Sequence, residues 1–291
     1  LSFERLIYDQ MMKFIDKHKI LYINQYGFRK GYSTTQVLID VFDTLKRALD
    51  RKEYAIGIFL DLEKAFDTVN HKILLAKLEH IGLRGVAKTW IKSYLENQSQ
   101  SVTLNGVTSN SKKITCGVPQ GSILSPLLFI VYINDMHNAF EKCAVHHFAD
   151  DTNLLFSHKD PQTIQKVMNK ELSYLFDWLC ANRLSLNVGK TEFILFQPPK
   201  AKLKKRIVLK LNRIKIFASY KIKYLGVILD HKLTWKHHIN ELSKKLSRAV
   251  GMLYKIREFC PSSTLRSLYF SIFNSHLSYG LPVWGNADRI L

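Results

Sequence analysis

The chain has 291 residues, 46% of them hydrophobic, enough to bury a substantial core, and about two or three compact lobes are expected. Its 43 Lys and Arg against 24 Asp and Glu give a net charge of +19, which points to an anionic partner. The longest near-apolar stretch, Ile123 to Ile133, is too short to span a bilayer, and no basic-then-apolar signal segment follows Leu1, so a soluble intracellular protein without a membrane partner is expected.

The first element predicted is a helix over Phe3 to His18, followed by a loop holding Tyr26-Gly-Phe-Arg-Lys-Gly-Tyr32. Ser33-Thr-Thr-Gln36 reads as a capping box, and Val37, Leu38, Val41, Phe42, Leu45 and Leu49 recur at helical spacing behind it. The apolar run Ala55 to Leu60 reads as a buried strand ending at Asp61. A helix near Asn70 to His80 is closed by Gly82. The next carries Ala87, Trp90, Ile91, Tyr94 and Leu95 on one face and ends near Asn97.

Ser101 to Thr108 contains Asn105-Gly106 and reads as a hairpin. After Val118-Pro-Gln-Gly-Ser122, Ser125 is expected to cap a helix over Leu127 to Phe140, with Pro126 in its first turn. Cys143 to Ser157 reads as strand, turn, strand, with Asp150 and Asp151 at the tip. Asp160-Pro161 opens an amphipathic helix bearing Ile164, Val167, Met168, Leu172, Leu175, Phe176 and Leu179. A strand follows at Glu192 to Phe196, and Gln197-Pro-Pro199 breaks it.

Residues 200–258 hold 17 Lys and Arg against 3 Asp and Glu, interleaved with Tyr220, Tyr224 and Trp235. Such a segment suits a phosphate backbone, although a solvated face has the same composition. It contains strands near Ile207 to Leu211 and Ile222 to Leu229, and the remainder is helical with a break at Pro261. Cys116, Cys143, Cys180 and Cys260 form no metal-ligand or redox pattern and are expected to be reduced, packed thiols. His146-His147 reads as strand, and His237-His238 as exposed helix.

The strand, helix, helix, strand-turn-strand, helix, strand order suits an α+β arrangement, an antiparallel sheet backed by helices. Such a sheet can set Asp61 beside the Asp150-Asp151 tip. Buried carboxylates require partners, and paired Mg²⁺ ions that clamp a phosphoryl group are one. Taken singly, each acidic site also fits a turn or a helix start.

Six segments in order carry a resemblance: Asn24 to Ser33, Phe59-Leu-Asp-Leu-Glu-Lys-Ala-Phe-Asp67, Gly117-Val-Pro-Gln-Gly-Ser-Ile-Leu-Ser-Pro126, Phe148-Ala-Asp-Asp151, Leu184 to Lys190, and Tyr224-Leu-Gly226. Over nearly its whole length the chain resembles the reverse transcriptase domain of non-LTR (LINE-type) retrotransposons, the jockey-like lineage in particular. The resemblance implies an α+β right-hand polymerase with an antiparallel palm sheet. Fingers would cover about 1–53 and 83–116, palm about 54–82 and 117–235, and a helical thumb-like region 236–291.

It also implies an RNA-directed DNA polymerase using two Mg²⁺ ions, with Mn²⁺ as a substitute. Asp61, Asp150 and Asp151 would hold the metals together with the carbonyl of Leu62. Lys190 would give a proton to pyrophosphate, or serve as a surface turn lysine. Arg29 would grip the triphosphate with help from Lys30, Gln120 would lie against sugar and base, and Gly121 would let the backbone approach substrate. Phe66 matches the aromatic gate that excludes a 2′-hydroxyl, and it also fits ordinary core packing. Leu225 and Gly226 match the primer grip.

The implied partners are an RNA template, a DNA primer and deoxynucleoside triphosphates, and the implied location is nuclear or cytoplasmic, as a ribonucleoprotein. Gly189-Lys-Thr191 looks like the end of a phosphate-binding loop, but Leu184 stands where that loop needs glycine. The Arg-Pro-Ile-type fingers segment that usually precedes the first helix does not occur, so an N-terminally truncated domain is expected. A catalytically inactive, nucleic-acid-binding remnant is the competing reading.

Overall fold

A computed structural model describes residues 2–96, 98–198, 201, 203 and 205–287. Asn97 and Pro199, at two expected boundaries, lie outside them. In chain order the elements begin with α1 (Ser2–Lys17), α2 (Thr34–Asp50), β1 (Tyr54–Leu60), α3 (His71–His80) and α4 (Gly85–Glu96). Four two-residue strands follow, β2 (Ser99–Gln100), β3 (Thr103–Leu104), β4 (Val107–Thr108) and β5 (Lys112–Lys113). The middle of the chain supplies α5 (Ser125–Ile133), a 3₁₀ helix (Asn134–Ala139), β6 (Ala144–Phe148), β7 (Asp151–His158), α6 (Pro161–Ala181) and β8 (Glu192–Phe196). Short strands β9 (Lys210–Leu211), β10 (Ile214–Lys215) and β11 (Phe217–Ala218) precede the hairpin β12 (Lys221–Tyr224) and β13 (Val227–Asp230). The chain then forms α7 (Lys236–Ile256), α8 (Ser262–Leu268), a π-helical turn (Tyr269–Asn274), α9 (Ser275–Ser278) and α10 (Leu281–Trp284).

The central sheet has the order β11-β8-β1-β7-β6 and is antiparallel except at its β11 edge. Alternation along β1 divides the core. Ile56, Ile58 and Leu60 join the cluster built with α3, α5 and α6, whereas Ala55 and Phe59 join α2 and the β12–β13 hairpin. A strand covered on both faces reads as a continuous apolar run, as 55–60 does. Local chemistry starts the helices as expected: Ser33 and Gln36 form the capping box of α2, and Asp160 accepts from Gln162 N and Thr163 N at the start of α6.

Tertiary contacts change several expected elements. Ser125 is the first residue of α5, and its hydroxyl donates to Pro119 O (2.5 Å) instead of capping. From Asn134 the α-helix tightens to 3₁₀ and runs to Ala139, and the Asn134 side chain ties this point to the loop after α1, accepting from Tyr22 N (2.8 Å) and donating to Ile20 O (2.9 Å). The expected strand over Ile207 to Leu211 shrinks to β9, since Val208 and Lys210 take their hydrogen bonds from Gln165 and Asn169 of α6.

Ala87 is exposed, at a 250 Å³ cleft between α4 and Phe14 of α1. His238 is buried, not exposed, because α10 folds back and sets Trp284 against it (ring centroids 5.4 Å apart). All four cysteines are free; Cys116 and Cys180 are exposed and not packed. The Asn105-Gly106 turn forms with both residues at positive φ, and Val102, Leu104 and Val107 around it are solvent-facing.

The segment Asn24 to Gly27 runs alongside β6: Gln25 forms a parallel bridge with His147, Tyr26 N donates to His147 O (2.8 Å), and His147 N donates to Asn24 O (2.9 Å). At its end a Cβ on Gly27 would lie 2.2 Å from Ala149 N, a backbone atom that cannot swing aside. Gly27→Ala is therefore expected to cost about 2–3 kcal/mol and to lower the melting temperature by about 5 °C, measurable by thermal unfolding. An unchanged midpoint contradicts this packing.

Candidate active site

The β1–β7 register places the acidic residues. Leu60 pairs with Thr152, so the next position on each strand is occupied by Asp61 and Asp151. Asp61 is half-buried and its backbone is anchored: its N–H donates to Thr191 Oγ1 (3.3 Å), and its carbonyl accepts from Asn187 N (2.8 Å). Leu62 bridges Leu186, while Glu63 N donates to Ser185 O (2.8 Å). In an antiparallel ladder that pattern turns the N–H and C=O of Leu62 away from Leu186, to the edge where β7 lies.

Asp150 is exposed in the two-residue turn between β6 and β7. That turn has Ala149 at φ +58°, a conformation normally left to glycine in a type II′ hairpin. Gln25 Oε1 accepts from Ala149 N (3.4 Å) and from Gly27 N (2.9 Å), and so ties the strained turn to the 24–27 segment. Burial of its carboxyl, then the charges of Asp150 and Asp61, push Asp151 up to about 6, and no cation among the described residues offsets them. Asp151 still keeps solvent exposure at the strand end, where a ligand can reach it.

Among the described residues no three His, Cys, Asp or Glu side chains form a ready-made metal cage. The prearranged part is the Asp61–Asp151 pair with Asp150 in the adjoining turn. That donor set suits Mg²⁺, which takes one or two carboxylates and completes its shell with water and phosphate oxygens.

Phe66 stacks on Phe129 (centroids 4.3 Å apart) and meets Phe28 edge-on (6.3 Å), which links the Arg29 loop to the segment after β1. Arg29 Nη1 donates to Tyr22 O (3.2 Å) and Gln25 O (3.0 Å), and its guanidinium lies 4.2 Å from the Tyr32 ring centroid; Lys30 is exposed. Gln120 is exposed and donates to Asp67 Oδ1 (3.0 Å). Gly121 has φ +81° with open space where a Cβ would project. Gly117 is packed so tightly that a Cβ would lie 2.7 Å from Asp67 O.

Lys190 is exposed in the Asn187–Thr191 turn that holds Asp61. Leu225 and Gly226 form the β12–β13 turn, and the neighbouring Tyr224 hydroxyl accepts from Asn153 Nδ2 (2.7 Å), two positions beyond Asp151. Burial raises the Tyr224 phenol and drives His147 down to about 3, so both stay neutral beneath the carboxylates.

Sequence reasoning missed Thr191, Gln25 and Asn153. Thr191 lay inside the Gly189-Lys-Thr191 segment, whose threonine holds the Asp61 amide. Nothing in the local sequence around Gln25 or Asn153 signals their burial.

A model of the family described as reverse transcriptase (RNA-dependent DNA polymerase) matches residues 3–229. The chain belongs to the reverse transcriptase family. Curated relatives include a probable RNA-directed DNA polymerase from transposon X-element of Drosophila melanogaster, 30% identical over 98% of this chain. The RNA-directed DNA polymerase from mobile element jockey of the same species is 31% identical over 98% of it. The chain spans 32% of the length of each.

Among solved structures, telomerase from Candida tropicalis in complex with a TWJ fragment of telomeric RNA superposes with a TM-score of 0.53 at 16% identity, covering 96% of this chain and 45% of that one. The truncated apo telomerase of the same organism gives 0.52 at 17% identity, over 81% of this chain and 44% of that one. These neighbours show that the reverse transcriptase domain has the α+β right-hand polymerase fold.

Repulsion among the carboxylates gives a stability test. The raised Asp151 pKa means that ionisation costs folding energy, a cost fully present above about 6 and absent below the ordinary value of 3.8. At neutral pH Asp151→Asn is expected to raise the melting temperature of the metal-free protein by about 2 °C. Added Mg²⁺ is expected to stabilise the parent protein and not this variant; a lower midpoint for Asp151→Asn contradicts the electrostatic reading.

Proposed function

We propose that the chain is an RNA-directed DNA polymerase that adds deoxynucleotides to a primer 3′-hydroxyl. The observation that carries this reading is the β1–β7 register, which brings Asp61 opposite Asp151 beside Asp150 in a reverse transcriptase fold. Residues 1–53 and 83–116 serve as fingers, 54–82 and 117–235 as palm, and 236–291 as a thumb-like region.

Asp61, Asp150, Asp151 and the Leu62 carbonyl hold two Mg²⁺ ions, or Mn²⁺ in their place. Bound there, the metal lowers the pKa of the primer hydroxyl and neutralises charge on the leaving pyrophosphate. Arg29 and Lys30 bind the triphosphate. A guanidinium forks onto phosphate oxygens, and the Arg29 nitrogens other than Nη1 are not held by the loop carbonyls. Gln120 lies against the sugar and base, and the open side of Gly121 lets the substrate approach its backbone. Lys190 gives a proton to the pyrophosphate.

Phe66, wedged between Phe129 and Phe28, forms a wall under the ribose that leaves no room for a 2′-hydroxyl. The Leu225–Gly226 turn grips the primer, and the basic stretch 200–258 holds the template-primer backbone through charge rather than sequence. Among the described residues no helix is long and apolar enough to cross a membrane. A nuclear or cytoplasmic ribonucleoprotein is the proposed setting.

Primer extension on an RNA template with deoxynucleotides and Mg²⁺ tests this function. Incorporation is expected. Salt-sensitive template-primer binding by folded protein without incorporation selects the inactive-remnant reading instead. Asp150→Asn is expected to lower incorporation by at least about 100-fold while template-primer affinity holds, and comparable activity would refute the metal role. Phe66→Ala is expected to admit ribonucleotides, so unchanged sugar selectivity in competition assays sinks the gate.

A further inference from the structure

The Leu225–Gly226 turn has a geometry that its sequence does not favour. Tyr224 pairs with Val227, which leaves Leu225 at φ +43° and Gly226 at φ +83° as the central residues. Positive φ at both is the type I′ pattern, which prefers Asn, Asp or Gly and disfavours leucine. The turn therefore needs outside support, and it has support at both ends. At its base, Tyr224 is fastened to Asn153 of β7. At its tip, the Tyr279 hydroxyl donates to Leu225 O at 2.6 Å. The Tyr279 ring also covers Gly226 so closely that a Cβ there would lie 3.1 Å away.

Tyr279 arrives from far along the chain, after α7, α8, the π-helical turn and α9. It stands where the C-terminal helices return to the sheet. Trp284 Nε1 donates to Tyr279 O (2.8 Å). Gly280 takes φ +65°, and a Cβ on it would press on Val227 at 3.1 Å. Val283 and Trp284 are buried in the same apolar cluster as Tyr224, Val227 and Trp235. The 279–284 segment is thus seated on the hairpin, and the Tyr279 hydroxyl is its direct bond to the turn.

We propose that Tyr279 is a positioning residue for the primer terminus: its hydroxyl fixes the Leu225 carbonyl and so locks the turn that holds the primer. The ligand is the sugar-phosphate backbone of a DNA strand end. The amides of the tight turn and the exposed Lys221 and Lys223 on β12 suit it. With the base of the turn fixed to the strand that bears Asp151, the hydroxyl completes a rigid path from the C-terminal helices to the metal carboxylates. This inference rests on the polymerase function proposed above.

Tyr279→Phe removes the hydroxyl and keeps the ring. In a trap experiment with pre-bound template-primer, the variant is expected to release primer about 5-fold faster, the worth of one neutral hydrogen bond. Its KM for deoxynucleotide is expected to match the parent protein, its melting temperature to fall by no more than about 2 °C, the cost of that one bond in the free protein, and Tyr279→Ala is expected to release primer faster still. Parent-like release by Tyr279→Phe overturns the proposal. So does a rise in nucleotide KM that accounts for the defect, or a larger loss of melting temperature that marks a merely structural role. If the parent protein extends primers and Tyr279→Phe behaves like it, this inference alone falls; if folded parent protein extends nothing, the polymerase function falls with it.

Discussion

The antiparallel register of β1 against β7 is the constraint on which the rest of the molecule depends. It is held by burial: Ile56, Ile58 and Leu60 are almost wholly inaccessible on one face of β1. Each such side chain contributes roughly 1.5–3 kcal/mol, so the three together outweigh the ~1–4 kcal/mol by which two like charges at contact repel near a protein surface. A one-residue slip would turn that apolar set to the other face and pull Asp61 out of line with Asp151. The core thus imposes a crowding of carboxylates that the charges alone would avoid.

The crowded end is braced from separate parts of the chain. Thr191 and Asn187 tether the backbone of Asp61, while Gln25 and the close approach of Gly27 hold the strained Ala149 turn. Asn153 joins β7 to the hairpin at Tyr224. Thr191, Gln25 and Asn153 brace through polar side chains and Asn187 and Gly27 through their backbone, so the geometry of the carboxylates does not rely on their mutual repulsion being relieved. Exposed ion pairs such as Arg5–Asp9 on α1 contribute little.

The fold and the acidic centre were legible in the sequence wherever chemistry is local. The capping box at Ser33 and Gln36, the period of α6 and the apolar run of β1 each follow from neighbouring residues. The expected strand at 207–211 shortened because Gln165 and Asn169 of α6 take the backbone of Val208 and Lys210, and the helix expected through Phe140 tightened to 3₁₀ from Asn134, whose side chain ties it to the loop after α1. His238 was misread because its burial depends on Trp284, a residue that returns only when the last helices fold back. Thr191 was hidden inside a segment that looks like a phosphate loop. The three aspartates could be found from motif and order, but the residues that hold them in place could not.

What distinguishes a metal centre from a merely strained strand end is whether divalent cations bind there through both strands. Electron paramagnetic resonance with Mn²⁺, on the protein bound to template-primer and a deoxynucleotide, counts the ions held. Two bound Mn²⁺ are expected in the parent protein, with occupancy lost in Asp61→Asn and in Asp151→Asn alike. Full Mn²⁺ occupancy in either variant would show that the β1–β7 register does not build the metal site.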